Sequence, residues 1–295
     1  MISMEWNLLD WTLVVREERL TEPLRWRKPR MVFVNSMSDL FHEDVPLDFI
    51  DQVFAVMALC PRHTFQILTK RPERMAEYLA SSEQALSTEN RIWFAANGKQ
   101  LSGDGRILNV PQQWPLPNVW LGASVEDQAT ADARIPHLLR CPAAVRFVSA
   151  EPLLGAVDFS DCLGDTLVGA WDTETGKQIS DGPGPYSVIK GIDWVIVGGE
   201  SGAKARPCNV AWIRSIIRQC REAGVPVFVK QLGARPIVTE YEAWQLSGMD
   251  PGWDDRCRRR DVLVGLRLTD PKGGNLAEWP MDLRVREMPI VGGGK

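Results

Sequence analysis

Residues 193–207 read DWVIVGGESGAKARP, and this stretch decides the fold. Its first five residues form a short run rich in apolar and β-branched side chains, which is typical of a strand buried on both faces. Gly198 and Gly199 follow at once, and glycine permits the tight turn that ends such a strand. Glu200 comes next. The stretch therefore predicts a buried strand that delivers a carboxylate to the edge of a sheet.

The same pattern, an apolar run that ends in polar residues, occurs five more times. The runs are MVFVNSMSD from Met31, FQILTKRP from Phe65, VWLGASVED from Val119, VRFVSAEP from Val145 and PVFVKQLG from Pro226. In parallel α/β folds, residues just beyond the carboxyl ends of the strands line the ligand site. We predict an α/β fold, a partial parallel (β/α) barrel of about six units, because polar residues follow every strand. An open doubly wound sheet is the alternative, with its site at one switch point.

Length and composition restrict the class of protein. The chain has 295 residues, of which 44% are hydrophobic, and this suits one large α/β domain or two small ones. The 34 basic and 38 acidic residues nearly balance, so no global field attracts nucleic acid or an anionic membrane. No apolar run approaches the roughly 20 residues that a membrane span needs. We expect a cytoplasmic protein without a membrane partner.

The cysteines and histidines do not form a recognisable metal motif. The six cysteines are scattered without a C-x-x-C pair, and the three histidines are dispersed. Structural zinc and iron–sulfur sites usually take closely spaced thiolates. We predict buried reduced thiols and no metal ligand.

Three segments are predicted along the chain. Residues 1–30 form an N-terminal segment, residues 31–233 form the partial barrel, and residues 234–295 form a C-terminal extension that packs on it. Two insertions, 83–117 and 158–190, interrupt the barrel, because the alternation of strand and helix patterns stops there. We predict a helical piece near Trp93 in the first insertion and a short strand at Trp11–Val15.

Helix boundaries are also predicted between the strands. Asp44 is the expected cap of the helix after the first barrel strand, with Pro46 in its first turn. Pro72 opens the next helix. Asn209 caps the last barrel helix, and Gly224 ends it.

Three glutamates follow three successive strands and would converge if the sheet closes. Glu126, Glu151 and Glu200 could hold a divalent cation, tune one another's pKa or bind a ligand amine. The alternative is that each caps a neighbouring helix, which we favour for Glu126. Lys70 and Lys230 also end strands and could form a Schiff base or bind an anion, or could form an ion pair with a glutamate.

The predicted site residues fall into two groups. The candidate catalytic residues are Glu200, Glu151 and Lys230. The candidate ligand-binding residues are Asn35, Ser36, Asp39, Lys70, Ser124, Glu126, Gly198 and Gly199. The short polar side chains at Asn35, Ser36 and Asp39 suit a ribose or an amino-acid head group. They could equally hydrogen-bond their own loop backbone.

A basic cluster precedes the first barrel strand. Arg25, Arg27, Lys28 and Arg30 surround Trp26, and such a cluster can contact phosphates while the aromatic ring stacks on a base. The alternative is a solvated approach to the strand, and we favour it. Together with the polar strand ends, this makes a small-molecule ligand the expected partner and nucleic acid the second candidate, while the sequence does not say whether a protein partner exists.

The motifs resemble a phage-associated three-cysteine-motif protein family, largely uncharacterised. The resemblance runs from about Leu13 to Pro289, interrupted by the insertions, and lies in RWRKPRMVFVNSMSDLFHEDVP, FQILTKRPERM, NVWLGASVEDQ, VRFVSAEPLLG, DWVIVGGESGAKARP, PVFVKQLG and the tail KGGNLAEWPMDLRVREMP. That family looks like a relative of radical S-adenosylmethionine enzymes. The resemblance implies a partial (β/α) barrel, S-adenosylmethionine as a possible ligand, and an iron–sulfur cluster held by three cysteines near the amino terminus.

This chain departs from the family pattern at the cluster. Its first cysteine is Cys60, so the cluster ligands of the family have no counterparts here. The resemblance therefore implies the fold and a pocket with Glu151, Gly198, Gly199 and Glu200, and not the radical reaction. The expected protein is a phage or mobile-element relative that is cluster-free or shortened at its amino terminus. One alternative is a cluster-independent lyase or hydrolase that uses the three candidate catalytic residues. Another is a nucleic-acid-associated binding module.

Overall fold

The computed structural model describes residues 2–6, 11–35, 38–80, 88–97, 113–168, 187–246 and 262–289. Its strands are β1 (Ile2–Trp6), β2 (Trp11–Val15), β3 (Met31–Val34), β4 (Thr64–Thr69), β5 (Val119–Ser124), β6 (Val145–Ala150), β7 (Asp165–Val168), β8 (Ser187–Lys190), β9 (Trp194–Gly198), β10 (Cys208–Asn209), β11 (Val227–Gln231), β12 (Pro236–Thr239) and β13 (Leu263–Gly265). Its α-helices are α1 (Glu22–Arg25), α2 (Leu47–Ala58), α3 (Pro72–Ala80), α4 (Thr88–Ala96), α5 (Gln128–Leu139), α6 (Val210–Glu222) and α7 (Glu240–Leu246). Short 3-10 turns lie at Glu17–Arg19, Leu276–Glu278 and Met281–Leu283.

The main sheet contains the six strands that the sequence predicts. Its order is β11-β9-β6-β5-β4-β3, and its strands are parallel and alternate with helices. This confirms the predicted α/β fold of the partial-barrel type. Parallel strands need crossover connections, and the helices between them supply these.

Burial along the strands explains why they read as continuous apolar runs. Every residue of β5 and β6 is buried, as expected for inner strands covered on both faces. Gly122 in β5 leaves room for the Phe147 ring, since a Cβ there would lie 2.5 Å from two of its carbons. The edge strand β3 instead alternates, with Met31 and Phe33 exposed.

Contacts between Cα atoms divide the chain into two compact units. Of the described residues, unit 1 contains those up to Ser124 together with Ala133–Phe147. Unit 2 contains Val125–Asp132 and the described part of the chain from Val148 onward. Asn118 belongs to unit 1, and Glu151, at the end of β6, belongs to unit 2.

The predicted cap of α2 is wrong. Pro46 is the residue at the N-cap, and it forms no side-chain cap hydrogen bond. Asp44 lies two residues earlier, where its carboxylate is 3.5 Å from Nδ1 of His42 and its backbone N–H donates to the same ring nitrogen. Asp44 therefore belongs to the turn before the helix and not to its N-terminus.

The other helix boundaries agree with the sequence. Helix α3 begins at Pro72. The side chain of Asn209 caps α6 by accepting a hydrogen bond from the Ala211 N–H at 2.9 Å. Gly224, at φ +67°, follows the end of α6 in the left-handed conformation that favours glycine.

The predicted insertions and N-terminal segment contain regular structure where they are described. The helical piece near Trp93 is α4, and the predicted strand at Trp11–Val15 is β2, which pairs antiparallel with β1. Strands β7 and β8 pair antiparallel within the second insertion, which we expected to be irregular. Residues 98–112 and 169–186 lie outside the described residues.

The C-terminal extension forms structure that the sequence does not predict. Strands β10, β12 and β13 make a second sheet, and the segment around Arg286 runs antiparallel to β11. The Val229 N–H donates to the Val285 carbonyl at 2.9 Å, and the Glu287 N–H donates to the Val227 carbonyl at 2.9 Å. This segment therefore covers the outer edge of β11.

None of the described helices combines the length and the hydropathy that a membrane span requires.

Candidate functional site

In unit 2, the carboxylate of Glu151 lies at the end of β6 and meets two other side chains. Its Oε2 accepts hydrogen bonds from Lys230 Nζ at 3.1 Å and from Ser149 Oγ at 3.2 Å. The Glu151 side chain is 15% exposed, whereas that of Lys230, from β11, is 57% exposed. The two residues thus form the ion pair that we gave as the alternative role of the lysine. They place opposite charges side by side at the ends of two strands.

Two glycines at the end of β9 make room for this arrangement. A Cβ on Gly198 would lie 2.6 Å from Glu151 Oε1, so the carboxylate occupies the space where a side chain would stand. A Cβ on Gly199 would collide with the carbonyl of Leu232. The Gly199 N–H donates to the Gln231 carbonyl at 3.0 Å, and the Gly199 carbonyl accepts from Gln231 Nε2 at 2.9 Å. Glycine is needed at both positions because the groups beside them approach so closely.

Glu200 is bound to Arg206 by three hydrogen bonds. Its Oε2 accepts from the backbone N–H and from Nε of Arg206, both at 2.8 Å, and its Oε1 accepts from Nη2 at 2.9 Å. The side-chain hydrogen bonds from Arg206, followed by the backbone one, lower the pKa of Glu200 to about 2. A carboxylate with this pKa is a poor proton carrier near neutral pH. The geometry favours Glu200 as an anchor for Arg206.

Glu126 is not the residue that caps α5. Asp127 Oδ1 accepts from the Thr130 N–H at 2.9 Å, and Thr130 Oγ1 accepts from the backbone N–H of Asp127 at 3.0 Å and of Glu126 at 2.9 Å. The cap role that we favoured for Glu126 is therefore wrong, because Asp127 already fills it. Hydrogen bonding to Glu200 raises the pKa of Arg206, and the charge of Glu126 adds to that effect.

Arg206 is the residue of this group that the sequence reasoning missed. It lies six positions after Glu200 in the same ESGAKARP loop. The signal was present, since a carboxylate and a guanidinium at the two ends of a short glycine-containing loop can meet. The spacing alone, however, does not fix whether such a loop folds back on itself.

In unit 1, Asp39 holds its own loops together. Its Oδ1 accepts from Thr69 Oγ1 at 2.7 Å and from the Phe41 N–H at 2.9 Å. Its Oδ2 accepts from the Lys70 N–H at 2.9 Å and from Arg71 Nη1 at 3.4 Å. This is the alternative role, loop-backbone bonding, that we gave for the polar residues after β3. Lys70 contributes its backbone here, and its side chain is exposed.

The remaining predicted ligand-binding residues of unit 1 do not form one cluster in the described contacts. Asn35 is buried, has φ +57° and lines an apolar cleft beside β3. Ser124 is the buried last residue of β5, and its carbonyl accepts from Arg134 Nη1 at 2.7 Å. Ser36 lies outside the described residues.

The described thiols do not fit an iron–sulfur cluster, which needs thiolate ligands close together. Among the described residues, no group of three or more His, Cys, Asp or Glu side chains could hold a metal ion. Burial raises the pKa of the cysteine thiols to about 12 at four positions, Cys141, Cys162, Cys208 and Cys220. Cys60 is buried as well. Cys257 lies outside the described residues.

The substitution Arg206→Ala is expected to return the pKa of Glu200 from about 2 toward its ordinary value of 4.5. A depressed pKa in the folded state adds stability above pH 4.5, and this is lost as the pH falls through about 2. The variant should therefore lose less stability than the wild type over that range. Carboxyl ¹³C NMR titration measures the pKa, with Arg218→Ala, at an exposed position of α6, as the control that should leave it unchanged. A Glu200 pKa that stays near 2 in Arg206→Ala contradicts this assignment.

The comparisons with known proteins identify a family and no individual relative. Neither the curated proteins nor the solved structures gave a match. A family model described as "Protein of unknown function (DUF5131)" matches residues 3–257, which is most of the chain. The match includes the ends of β6, β9 and β11, where Glu151, the two glycines and Lys230 meet. The chain therefore belongs to the DUF5131 family of proteins of unknown function.

Proposed function

We propose that this protein binds a small zwitterionic molecule at the ends of β6, β9 and β11, with S-adenosylmethionine as the first candidate. One observation supports this most strongly, the pairing of the largely buried Glu151 carboxylate with the exposed Lys230 ammonium. An amino-acid head group carries the complementary pair of charges. Its ammonium group suits Glu151, and its carboxylate suits Lys230.

The neighbouring residues support a head-group site. Ser149 adds a hydroxyl to the same carboxylate oxygen that Lys230 contacts. Gly198 carries no side chain, and this lets the Glu151 carboxylate lie directly against the backbone of β9, at the end of the strand where the head group would bind. The choice of S-adenosylmethionine, and the association with phage or mobile elements, rest on the resemblance of the sequence motifs.

The radical reaction is not part of the proposal. Reductive cleavage of S-adenosylmethionine requires an electron donor, which an iron–sulfur cluster supplies in radical enzymes. Four of the five described cysteines are buried, and no group of three or more described side chains could hold a metal ion, so these thiols do not fit such a cluster. What the residues on the strand ends can do is bind and orient the head group.

The alternative of a cluster-independent lyase or hydrolase stays a prediction. It requires proton transfer by Glu151, Glu200 or Lys230. The bonds from Arg206 weigh against Glu200 in that role, because they keep it ionised down to acidic pH. Binding therefore has the better support of the two functions.

Isothermal titration calorimetry with S-adenosylmethionine tests the proposal. We expect Glu151→Gln to weaken binding by about 10- to 100-fold, because a hydrogen bond between charged groups contributes about 1.5–3 kcal/mol. Glu222→Gln is the matched control, since Glu222 is exposed on α6, and its affinity should equal that of the wild type. Methionine and S-adenosylhomocysteine, titrated in parallel, show how much of the affinity comes from the head group.

Two results would overturn the proposal. One is the absence of binding to all three compounds at millimolar concentration. The other is an unchanged affinity in Glu151→Gln, with the variant shown to be folded by circular dichroism. An unchanged affinity in Glu151→Gln would mean that Glu151 and Lys230 form a structural ion pair and that the ligand binds elsewhere.

A further inference from the structure

A patch of positive charge lies on unit 1, in a protein whose net charge is -4. Four basic residues within six positions are all exposed, and we call them the basic cluster: Arg25, Arg27, Lys28 and Arg30. No acidic residue occurs between Pro23 and Ser38. The cluster therefore has a local field of the opposite sign to that of the whole chain.

The backbone that carries the basic cluster is anchored to the body of unit 1. Arg62 donates hydrogen bonds from Nη2 to the carbonyls of Leu24 and Trp26. The Arg30 N–H donates to Nδ1 of the buried His63 at 3.2 Å. The Trp26 ring packs edge-on against the His63 ring, with centroids 5.6 Å apart. The cations are thus presented on an ordered segment.

Glu22 is the carboxylate that precedes the cluster: hydrogen bonding from Arg19 lowers its pKa, and the charge of Arg25 adds to that effect. Arg27 and Lys28 form no hydrogen bond or ion pair with any residue in the described part of the chain. Carboxylates elsewhere bind arginines within about 3.4 Å, as in Arg71–Asp39, Arg91–Asp51 and Arg206–Glu200. Arg27 and Lys28 are therefore the cations of the cluster that an anionic partner would meet first.

An apolar cleft of about 70 Å³ lies beside the basic cluster. Trp26 and Phe33 both line it, together with aliphatic side chains of α2. Phe33 is 42% exposed, and Met31, two residues earlier on the edge strand β3, is 52% exposed. Residues two apart on a strand point to the same face, so two apolar side chains are presented next to the cations.

We propose that the basic cluster and this cleft bind single-stranded nucleic acid. The four cations contact phosphates, and an unpaired base stacks on Phe33 at the edge of the cleft. Single strands are bound in this way wherever a basic groove follows the backbone and aromatic side chains offer stacking surfaces. A duplex keeps its bases stacked on one another, so only its phosphates would contact the protein, through the four cations. A membrane surface is less suitable, because α1 has a single turn and presents no amphipathic helix.

Fluorescence anisotropy with labelled 20-mers of thymidine or uridine nucleotides tests the proposal. Each neutralised phosphate of a single strand contributes about -0.7 to the slope of log K against log salt, so four contacts predict about -2.8. Affinity should then fall about 50-fold between 50 and 200 mM salt. The triple variant Arg25→Ala, Arg27→Ala, Lys28→Ala retains one cation, and its affinity should fall only roughly threefold over the same range.

A charge-matched control separates the cluster from net charge. The triple variant Arg218→Ala, Arg221→Ala, Lys272→Ala removes three exposed cations of unit 2 and should bind like the wild type. Phe33→Leu keeps the residue apolar but removes the aromatic ring. It should weaken binding at least about fivefold with an unchanged salt slope.

Several results of these experiments would contradict the proposal. No oligonucleotide binding at 50 mM salt would overturn it, and so would equal losses in the two triple variants. Tighter binding to a duplex than to the single strand, or an unchanged affinity in Phe33→Leu, would remove the stacking contact. Binding to phosphatidylserine vesicles without binding to oligonucleotides would assign the patch to a membrane surface. Circular dichroism of every variant checks that it is folded.

Discussion

The substitution Trp279→Ala is expected to lower the free energy of unfolding by about 3–5 kcal/mol, the range for removal of a large buried aromatic side chain. Trp279 is only 2% exposed, and it is among the largest fully buried side chains of the described residues. Its loss leaves a cavity that the surrounding residues fill only in part.

Trp279 also links the C-terminal extension to the sheet. Its Nε1 donates to the Gly273 carbonyl at 3.0 Å, and the same carbonyl accepts from the Leu232 N–H at 2.8 Å, just beyond β11. Arg284 donates to the Trp279 carbonyl from Nε at 3.1 Å and from Nη2 at 2.9 Å. Removal of the indole therefore loosens the loop that follows β11 as well as the core around it.

Urea unfolding followed by circular dichroism measures this effect. Met281→Ala is the control in the same segment, because Met281 is 83% exposed and its loss should change the free energy by no more than about 0.5 kcal/mol. A loss below about 1 kcal/mol in Trp279→Ala would show that the extension contributes little to the folded state.

The second large effect is expected at Asn118, a buried side chain of unit 1. Its Nδ2 lies within hydrogen-bond distance of three carbonyls at the end of α2 and in the loop after it, Met57 at 3.0 Å, Cys60 at 3.1 Å and His63 at 3.1 Å, which its two N–H groups share. Asn118→Asp replaces this donor with an acceptor and leaves buried carbonyls without it. We expect a loss of about 3 kcal/mol, because each buried group left without its partner costs about 1–3 kcal/mol.

The same chemical change at Asn209 is the matched control. There the side chain acts as a helix cap that accepts a hydrogen bond from the Ala211 N–H, and aspartate caps helices equally well. Asn209→Asp should therefore stay within about 0.5 kcal/mol of the wild type. If the two variants lose the same stability, the three-carbonyl contact of Asn118 is not what holds the end of α2.

The parallel sheet was predictable because its strands carry a strong local signal. β6 and β9 are short, mostly apolar strands, followed by Glu151 and ended by Gly198 respectively, and burial on both faces favours such apolar runs. The helix cap at Asn209 and the end of the helix at Gly224 were equally predictable. Each depends on one residue, an asparagine side chain that accepts a hydrogen bond and a glycine with positive φ. Asp44 was wrong as the cap because α2 begins at Leu47, with Pro46 at its N-cap position, so Asp44 lies too far before the helix.

The C-terminal extension was not predictable in the same way. The segment around Arg286 pairs with β11 across more than fifty positions of sequence, and nothing in its own composition marks it as a strand. The same holds for β12 and β13, which are short and partly exposed. Their structure comes from tertiary contacts, which override weak local preferences.

The sequence predicted which residues lie at the candidate site, but not which of them form ion pairs with one another. Glu151, Glu200 and Lys230 all stand at strand ends, where the sequence placed them. Which carboxylate meets which cation depends on the register between strands and on loop paths. In the structure, Lys230 forms an ion pair with Glu151, and Arg206 forms one with Glu200. Two acidic residues that look alike in the sequence therefore have different surroundings.

A double-mutant cycle on ligand affinity tests most directly whether Glu151 and Lys230 form one binding site. S-adenosylmethionine is titrated calorimetrically into the wild type, Glu151→Gln, Lys230→Met and the double variant. The account predicts that the wild type binds and that the two losses are coupled by about 0.5–3 kcal/mol, as for residues in contact. A wild type that does not bind, or two losses that simply add, would contradict it.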